Sequence, residues 1–225
     1  MREASRAGKR RSVYIRMALV MTLGVAAGVT MFIATLRSGP ATQVTGRNTL
    51  AALSELVDQQ GRPFDAAKIQ GRYAVLYFGF TFCPDACPLA LSNLTVALRQ
   101  LDPEAEKIES VFISVDPARD TPEKLNEYLA HFSSRIIGLT GSVQAIQAAE
   151  QSFGVIALEH NDANLPGGYT VDHSNDFIVL SPSGRVLMRV PANLSADELL
   201  AQLRTLIPVV EAIQPQARLH VSLAS

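Results

Sequence analysis

Apolar and polar positions follow a strand period in some segments of this chain and a helix period in others. The run at 73–80 is apolar at nearly every position, which is typical of a central strand buried on both faces. Shorter apolar runs at 111–115 and 136–139 predict two more buried strands. The runs at 177–180 and 186–190 flank the turn residues SPSG and predict a β-hairpin.

Helical patterns separate these predicted strands. Leucines recur at helical spacing across 89–101, directly after the first strand. Thr121 before a proline and Ser142 before an apolar pattern are N-cap signals for two further helices, the second over 143–153. The capping box that begins at Ser195 predicts a last helix to about residue 207.

The order of these elements predicts an α/β fold. Strands alternating with helices and ending in a hairpin and a helix outline a thioredoxin-like domain, a central mixed sheet flanked by helices with an inserted helical segment, over residues 50–212. The stretch EHNDANLPGG is interpreted as a polar loop that contains His160. The aspartates around Arg119 are interpreted as loop and cap residues.

The first part of the chain predicts a membrane anchor. Residues 17–36 contain no charge and, as a helix, match the hydrocarbon core of a bilayer. A retained transmembrane helix is favoured over a cleaved signal peptide, because the run exceeds the roughly 7–15 residues of a signal core. Residues 1–16 form a basic cytoplasmic leader, 37–49 a linker and 213–225 a loose C-terminal tail. We expect the domain on the periplasmic side of a bacterial inner membrane, with the mitochondrial inner membrane as the alternative.

Charge argues against a nucleic-acid partner. The leader holds six of the 20 Lys and Arg residues but one of the 21 Asp and Glu residues. The remainder is therefore acidic, by about six charges, and lacks the basic surface that nucleic acid requires.

Both cysteines of the chain, Cys83 and Cys87, lie where the first predicted strand turns into a helix. A helix N-terminus lowers a thiol pKa, and a spacing of four directs both side chains of a helix to one face. This arrangement permits a disulfide, a redox pair or two ligands of a metal, and the extra residue distinguishes it from a C-x-x-C motif. These alternatives remain open from the cysteines alone.

A metal held by two thiolates needs a further ligand, and His173 stands out among the four histidines, although the residues alone favour a loop histidine with satisfied hydrogen bonds over a metal ligand. It stands in GGYTVDHSND, directly before the predicted hairpin, with Asp172 and Ser174 beside it. Its spacing from the cysteines does not by itself bring the three side chains together.

Four blocks carry a close resemblance to a known family. FGFTFCPDACP, VFISVDPARDTPEKLNEY, GLTGS and YTVDHSNDFIVLSPSG, in this order, resemble the Sco/SenC family of membrane-anchored, thioredoxin-like copper proteins. The resemblance implies that Cys83, Cys87 and His173 bind copper, as Cu(I) or Cu(II). It also implies a role in assembling the copper centre of cytochrome c oxidase, with its copper-bearing subunit or another cuproprotein as the partner.

Three functions follow as hypotheses. The first is a copper metallochaperone, which is not an enzyme. The second is a thiol-disulfide reductase that keeps the cysteines of a copper-receiving subunit reduced through the redox pair Cys83 and Cys87. The third, a thiol peroxidase, rests on a loose likeness of Thr81-Phe82-Cys83 to the T-x-x-C motif of peroxiredoxins.

Overall fold

The computed structural model describes residues 46–103, 106–165 and 167–213. Eight strands are found in these ranges: β1 (Val57–Asp58), β2 (Tyr73–Gly79), β3 (Ile108–Ser114), β4 (Ile136–Thr140), β5 (Ala157–Asn161), β6 (Tyr169–His173), β7 (Asp176–Leu180) and β8 (Val186–Pro191). The helices described are α1 (Gly46–Ser54), α2 (Ala86–Leu101), α3 (Pro122–Leu129), α4 (Val143–Phe153) and α5 (Ala196–Ile213), with a 3₁₀ turn at Ala66–Lys68.

A six-stranded mixed sheet forms the centre of the fold, in the order β1-β4-β3-β2-β7-β8. β2 runs parallel to β3 and antiparallel to β7, so that Tyr77 has Phe112 and Phe177 as its neighbours. All seven residues of β2 are buried, as the continuous apolar run at 73–80 predicts. The predicted mixed α/β sheet is confirmed.

The cap signals of the sequence coincide with helix starts. Thr121 accepts a hydrogen bond from the backbone N–H of Lys124, and Ser142 does the same for Ala145. The hydroxyl and the backbone N–H of Ser195 both donate to the Glu198 carboxylate. These reciprocal contacts satisfy N–H groups that the first turn of a helix leaves without partners.

A second, two-stranded sheet forms where the sequence predicts a polar loop. β5 and β6 pair antiparallel, and Ala157 lies opposite His173. The sequence interpretation of EHNDANLPGG as loop is therefore wrong for its first three residues, Glu159 to Asn161. Most side chains of β5 are exposed, so its sequence lacks the apolar alternation that indicates a half-buried strand.

The boundaries of the folded domain differ slightly from those expected. α1 begins at Gly46, within the segment predicted as a linker over 37–49, and it buries Leu50 and Leu53 in the core. Its polar first turn, GRNT, conceals the helix in the sequence. The leader, the apolar run at 17–36 and residues 214–225 lie outside the described residues. Within 46–103, 106–165 and 167–213, no helix is long and apolar enough to cross a membrane.

Candidate metal centre

The two cysteines lie between the end of β2 and the first turn of α2. Cys83 belongs to the connecting turn, and Cys87 is the second residue of the helix, which begins at Ala86. The expectation that both cysteines lie on one helix is therefore wrong for Cys83, which precedes the helix. The Cys87 thiol is nevertheless hydrogen-bonded to Cys83, and the backbone N–H of Cys87 donates to Cys83 Sγ at 3.3 Å. A free N–H of the helix start is thus used to stabilise a sulfur.

Cys87 is fully buried against the end of the central strand. A Cβ atom added to Gly79 would lie 3.1 Å from Cys87 Sγ and 2.9 Å from Phe112, so only glycine leaves room for this sulfur. The Tyr77 hydroxyl lies 3.7 Å from the same sulfur and donates to the Asn175 side chain at 2.8 Å. These contacts hold one thiol in a closed, mostly apolar environment.

His173 ends β6 and brings its ring to the cysteines. Its Nε2 lies 3.6 Å from Cys87 Sγ, and its Nδ1 lies 3.0 Å from the Ser174 carbonyl oxygen. A carbonyl accepts only, so Nδ1 carries the proton and Nε2 is left with its lone pair toward the sulfurs. The rings of Tyr77 and Phe80 pack edge-on to the imidazole, with centroids 6.1 and 5.9 Å away.

The distance between Cys87 Sγ and His173 Nε2 fits two ligands of one ion. Thiolate and imidazole bonds of about 2.3 and 2.0 Å at a tetrahedral angle separate the two ligand atoms by about 3.5 Å. Among the described residues, no group of three or more His, Cys, Asp and Glu side chains is placed so that it could hold a metal ion. Cys87 and His173 are nevertheless spaced as two ligands of one ion would be, and Cys83 lies beside Cys87 as the candidate third donor.

The two thiols differ in acidity. A hydrogen bond from the Cys87 thiol, supported by the Cys87 backbone N–H, holds the pKa of Cys83 well below its usual range, although burial opposes this. The same Cys83 contact, together with burial, raises the pKa of Cys87. Burial also raises the pKa of Tyr77, so its hydroxyl stays protonated. The metal-free centre at neutral pH is thus a thiolate at the more exposed sulfur and a thiol at the buried one.

Asp120 fixes the turn that carries Cys83, and the sequence interpretation missed this role. Its fully buried carboxylate accepts hydrogen bonds from the Thr81 backbone N–H at 3.1 Å, the Thr81 hydroxyl at 2.6 Å and the Ser114 hydroxyl at 2.7 Å. The Thr81 hydroxyl, on which the peroxidase hypothesis depends, is therefore directed to Asp120. A charged residue two positions before the first residue of a helix gives the same sequence signal whether it faces solvent or this turn.

The fold and this site define a class: a thioredoxin-like protein in which two cysteines and one histidine meet at the end of the central strand. The chain belongs to the SCO1/SenC family, whose model matches residues 42–208. The predicted family is confirmed.

Individual relatives agree with this assignment. The chain is 40% identical over 151 residues to a SCO2-like protein of Rickettsia conorii, which covers 67% of this chain and 73% of that protein. It is 36% identical over 169 residues to the mitochondrial protein SCO2 of Saccharomyces cerevisiae, over 75% of this chain but only 56% of the yeast protein. The copper-bound crystal structure of Arabidopsis thaliana ScoI aligns with a TM-score of 0.61 and 33% identity, over 66% of this chain and 91% of that one.

Proposed function

We propose that this chain is a copper metallochaperone that carries copper on Cys83, Cys87 and His173 and passes it to a partner by ligand exchange. The observation that supports this most directly is the approach of His173 Nε2 to Cys87 Sγ at 3.6 Å, with Nδ1 held by the Ser174 carbonyl. An imidazole oriented in this way is ready to bind a metal beside the buried sulfur.

The donor set favours copper over other metals. Thiolates are soft ligands that select Cu(I), and imidazole binds both copper oxidation states. A structural zinc site commonly has four protein ligands, whereas the proposed site has three. Cys83 is partly exposed while Cys87 is buried, so an incoming ligand from a partner reaches the ion from the Cys83 side.

The membrane anchor and the location are part of the same proposal. The uncharged run at 17–36 and the basic leader before it support a single transmembrane helix with the copper-binding domain on the periplasmic side of a bacterial inner membrane. The proposed recipient is the copper-bearing subunit of cytochrome c oxidase or another cuproprotein, as the family resemblance implies.

Copper titration of the reduced full-length chain tests the proposed site. We expect one copper per chain with mixed sulfur and nitrogen ligation, and a loss of affinity of at least about tenfold in each of Cys83→Ala, Cys87→Ala and His173→Ala. His160→Ala is the matched control, because this histidine is exposed and forms a hydrogen bond with Asp172. Unchanged affinity and unchanged spectra in His173→Ala would show that the proposed ligand set is wrong.

A thiol-disulfide reductase is the second candidate, and the unequal acidity of the thiols favours it. The Cys83 thiolate would attack a partner disulfide and displace one partner thiolate; deprotonated Cys87 would then attack the mixed disulfide and release the second. Each cycle reduces one partner disulfide and oxidises Cys83 and Cys87 to a disulfide. A Cys87→Ala variant that fails to trap a mixed disulfide with a substrate disulfide in a single turnover would eliminate this activity.

A further inference from the structure

The hairpin that carries His173 is not part of the main sheet. β5 and β6 pair only with each other, and an isolated two-stranded hairpin is at best marginally stable in water. Val171 is the buried residue of β6, and the other positions of the two strands are partly or fully exposed. The place of His173 relative to the cysteines must therefore depend on contacts between the hairpin and the rest of the domain.

Arg119, in the loop between β3 and α3, provides such contacts. Its Nη1 donates to the Tyr169 carbonyl oxygen at 3.0 Å, at the first residue of β6. Its guanidinium carbon lies 3.6 Å from the centroid of the Tyr169 ring. Stacking on an aromatic face combined with a directed N–H bond is a geometry that arginine provides and lysine does not.

Asp116 completes the arrangement. One carboxylate oxygen accepts from Arg119 Nε, and the other accepts from the Tyr169 hydroxyl at 2.8 Å. The Arg119 and Asp116 side chains are 11% and 3% exposed, so the ion pair is largely withdrawn from water. We call Asp116, Arg119 and Tyr169 the arginine clamp.

The same guanidinium also contacts the segment that precedes Cys83. It lies 4.7 Å from the centroid of Phe82 and 5.8 Å from that of Phe80. The Phe80 ring in turn packs edge-on against His173. Arg119 therefore contacts both chain segments that supply proposed copper ligands.

We propose that Arg119 is a positioning residue: the arginine clamp fixes the β5–β6 hairpin against the β3–α3 loop and thereby sets the imidazole of His173 over the cysteine sulfurs. The inference rests on the proposed function for its copper readout. The placement of the hairpin is testable without copper.

The first experiment measures amide hydrogen exchange in the metal-free, full-length chain. Arg119→Lys keeps the charge but loses the stack and the forked hydrogen bonds, so exchange at residues 157–161 and 169–173 should become about tenfold faster while β2 remains protected. Arg135→Lys is the matched control, because Arg135 forms a partly buried ion pair with Asp102 away from the hairpin. If hydrogen exchange in the hairpin is no faster in Arg119→Lys than in Arg135→Lys, the arginine clamp does not fix the hairpin.

A pair of tyrosine variants isolates one hydroxyl. Tyr169→Phe keeps the ring under Arg119 and removes only the hydrogen bond to Asp116, so a smaller increase in hairpin exchange, about threefold, is expected. Tyr128→Phe is its control, because the buried Tyr128 hydroxyl has no hydrogen-bond partner in the described part of the chain. Equal effects in the two variants count against the proposal.

The second experiment is a double-mutant cycle with copper. Arg119→Lys should weaken copper binding about tenfold in the native background and less than about twofold in His173→Ala, since the ligand that it positions is then absent. An equal loss in both backgrounds would show that Arg119 does not act through His173. If His173→Ala itself leaves copper binding unchanged, the proposed ligand set is wrong. The hydrogen-exchange comparison alone then tests whether the arginine clamp holds the hairpin.

Discussion

Removal of the Asp120 carboxylate should destabilise the domain and disturb the cysteine turn together. Three donors depend on this carboxylate: the Thr81 backbone N–H, the Thr81 hydroxyl and the Ser114 hydroxyl. Each buried donor left without an acceptor costs about 1–3 kcal/mol, and rotatable hydroxyls that find other partners belong at the low end. Asp120→Ala should therefore lower the free energy of unfolding by about 3 kcal/mol.

Asp102 provides a matched control for this loss. Its carboxylate is also buried, and it accepts hydrogen bonds from the backbone N–H groups of Lys107 at 3.1 Å and Ile108 at 2.9 Å. It lies before β3, whereas Asp120 lies beyond the opposite end of that strand, beside the cysteine turn. Asp102→Ala should cost a similar free energy of unfolding without reaching the metal centre.

Three measurements compare the two variants in the full-length chain: urea unfolding followed by circular dichroism, the pH dependence of alkylation at Cys83, and copper affinity. Asp120→Ala should shift Cys83 alkylation to higher pH, since the turn no longer holds the sulfur at the Cys87 N–H, and should weaken copper binding about tenfold. Asp102→Ala should leave both within about twofold. Equal changes in the two variants, or none in Asp120→Ala, would refute the assignment of Asp120 to the cysteine turn.

Further predictions concern acidity and packing. Burial raises the pKa of Glu150 to about 7, so the folded state binds this proton more tightly than the unfolded state does. Stability should therefore fall as the pH rises from about 4.5 to 7. Glu150→Gln should stabilise the chain by about 1 kcal/mol at pH 8 and not at pH 4, after allowance for the partial exposure of this side chain, and thermal unfolding at both pH values measures this. In the metal-free chain at pH 6, iodoacetamide should modify Cys83 well before Cys87, because only Cys83 is then a thiolate in an accessible position. Peptide mapping measures the alkylation rate of each cysteine, and equal rates would contradict the assigned acidities. Gly79→Ala should lower the free energy of unfolding in urea by about 1–3 kcal/mol, because the added Cβ would clash with Phe112 and the Cys87 sulfur. An unchanged urea midpoint would show that these side chains move aside without cost.

The sequence predicts the main sheet and its helices well because their signals are local. The apolar run at 73–80 corresponds to a strand in which every residue is buried, and the caps at Thr121 and Ser142 begin helices where expected. Such signals need no knowledge of distant contacts. The proposed ligands do not follow from such local signals. The residues alone leave a disulfide, a redox pair and a metal site open for Cys83 and Cys87, and the family resemblance is what implies His173 as a ligand.

The hairpin and the cysteine turn could not be predicted from local patterns. Strand β5 is mostly exposed, so its sequence contains no alternation that distinguishes it from a loop. Cys83 lies before the start of α2, although a helical spacing of four fits the sequence equally well. In both cases the conformation is determined by contacts with residues far away in the chain.

The loop between β3 and α3 shows how such contacts determine the site. Its aspartates have the sequence signature of loop and cap residues, but Asp120 bonds to Thr81, 39 residues earlier, and Arg119 bonds to Tyr169, 50 residues later. One short loop is thus tied to the turn that carries Cys83 and to the strand that ends at His173. Because both segments that carry proposed ligands are anchored on this loop, we expect the distance between the sulfurs and the imidazole to depend on the rigidity of the loop. Substitutions in the loop should therefore alter the candidate metal centre without removing a proposed ligand.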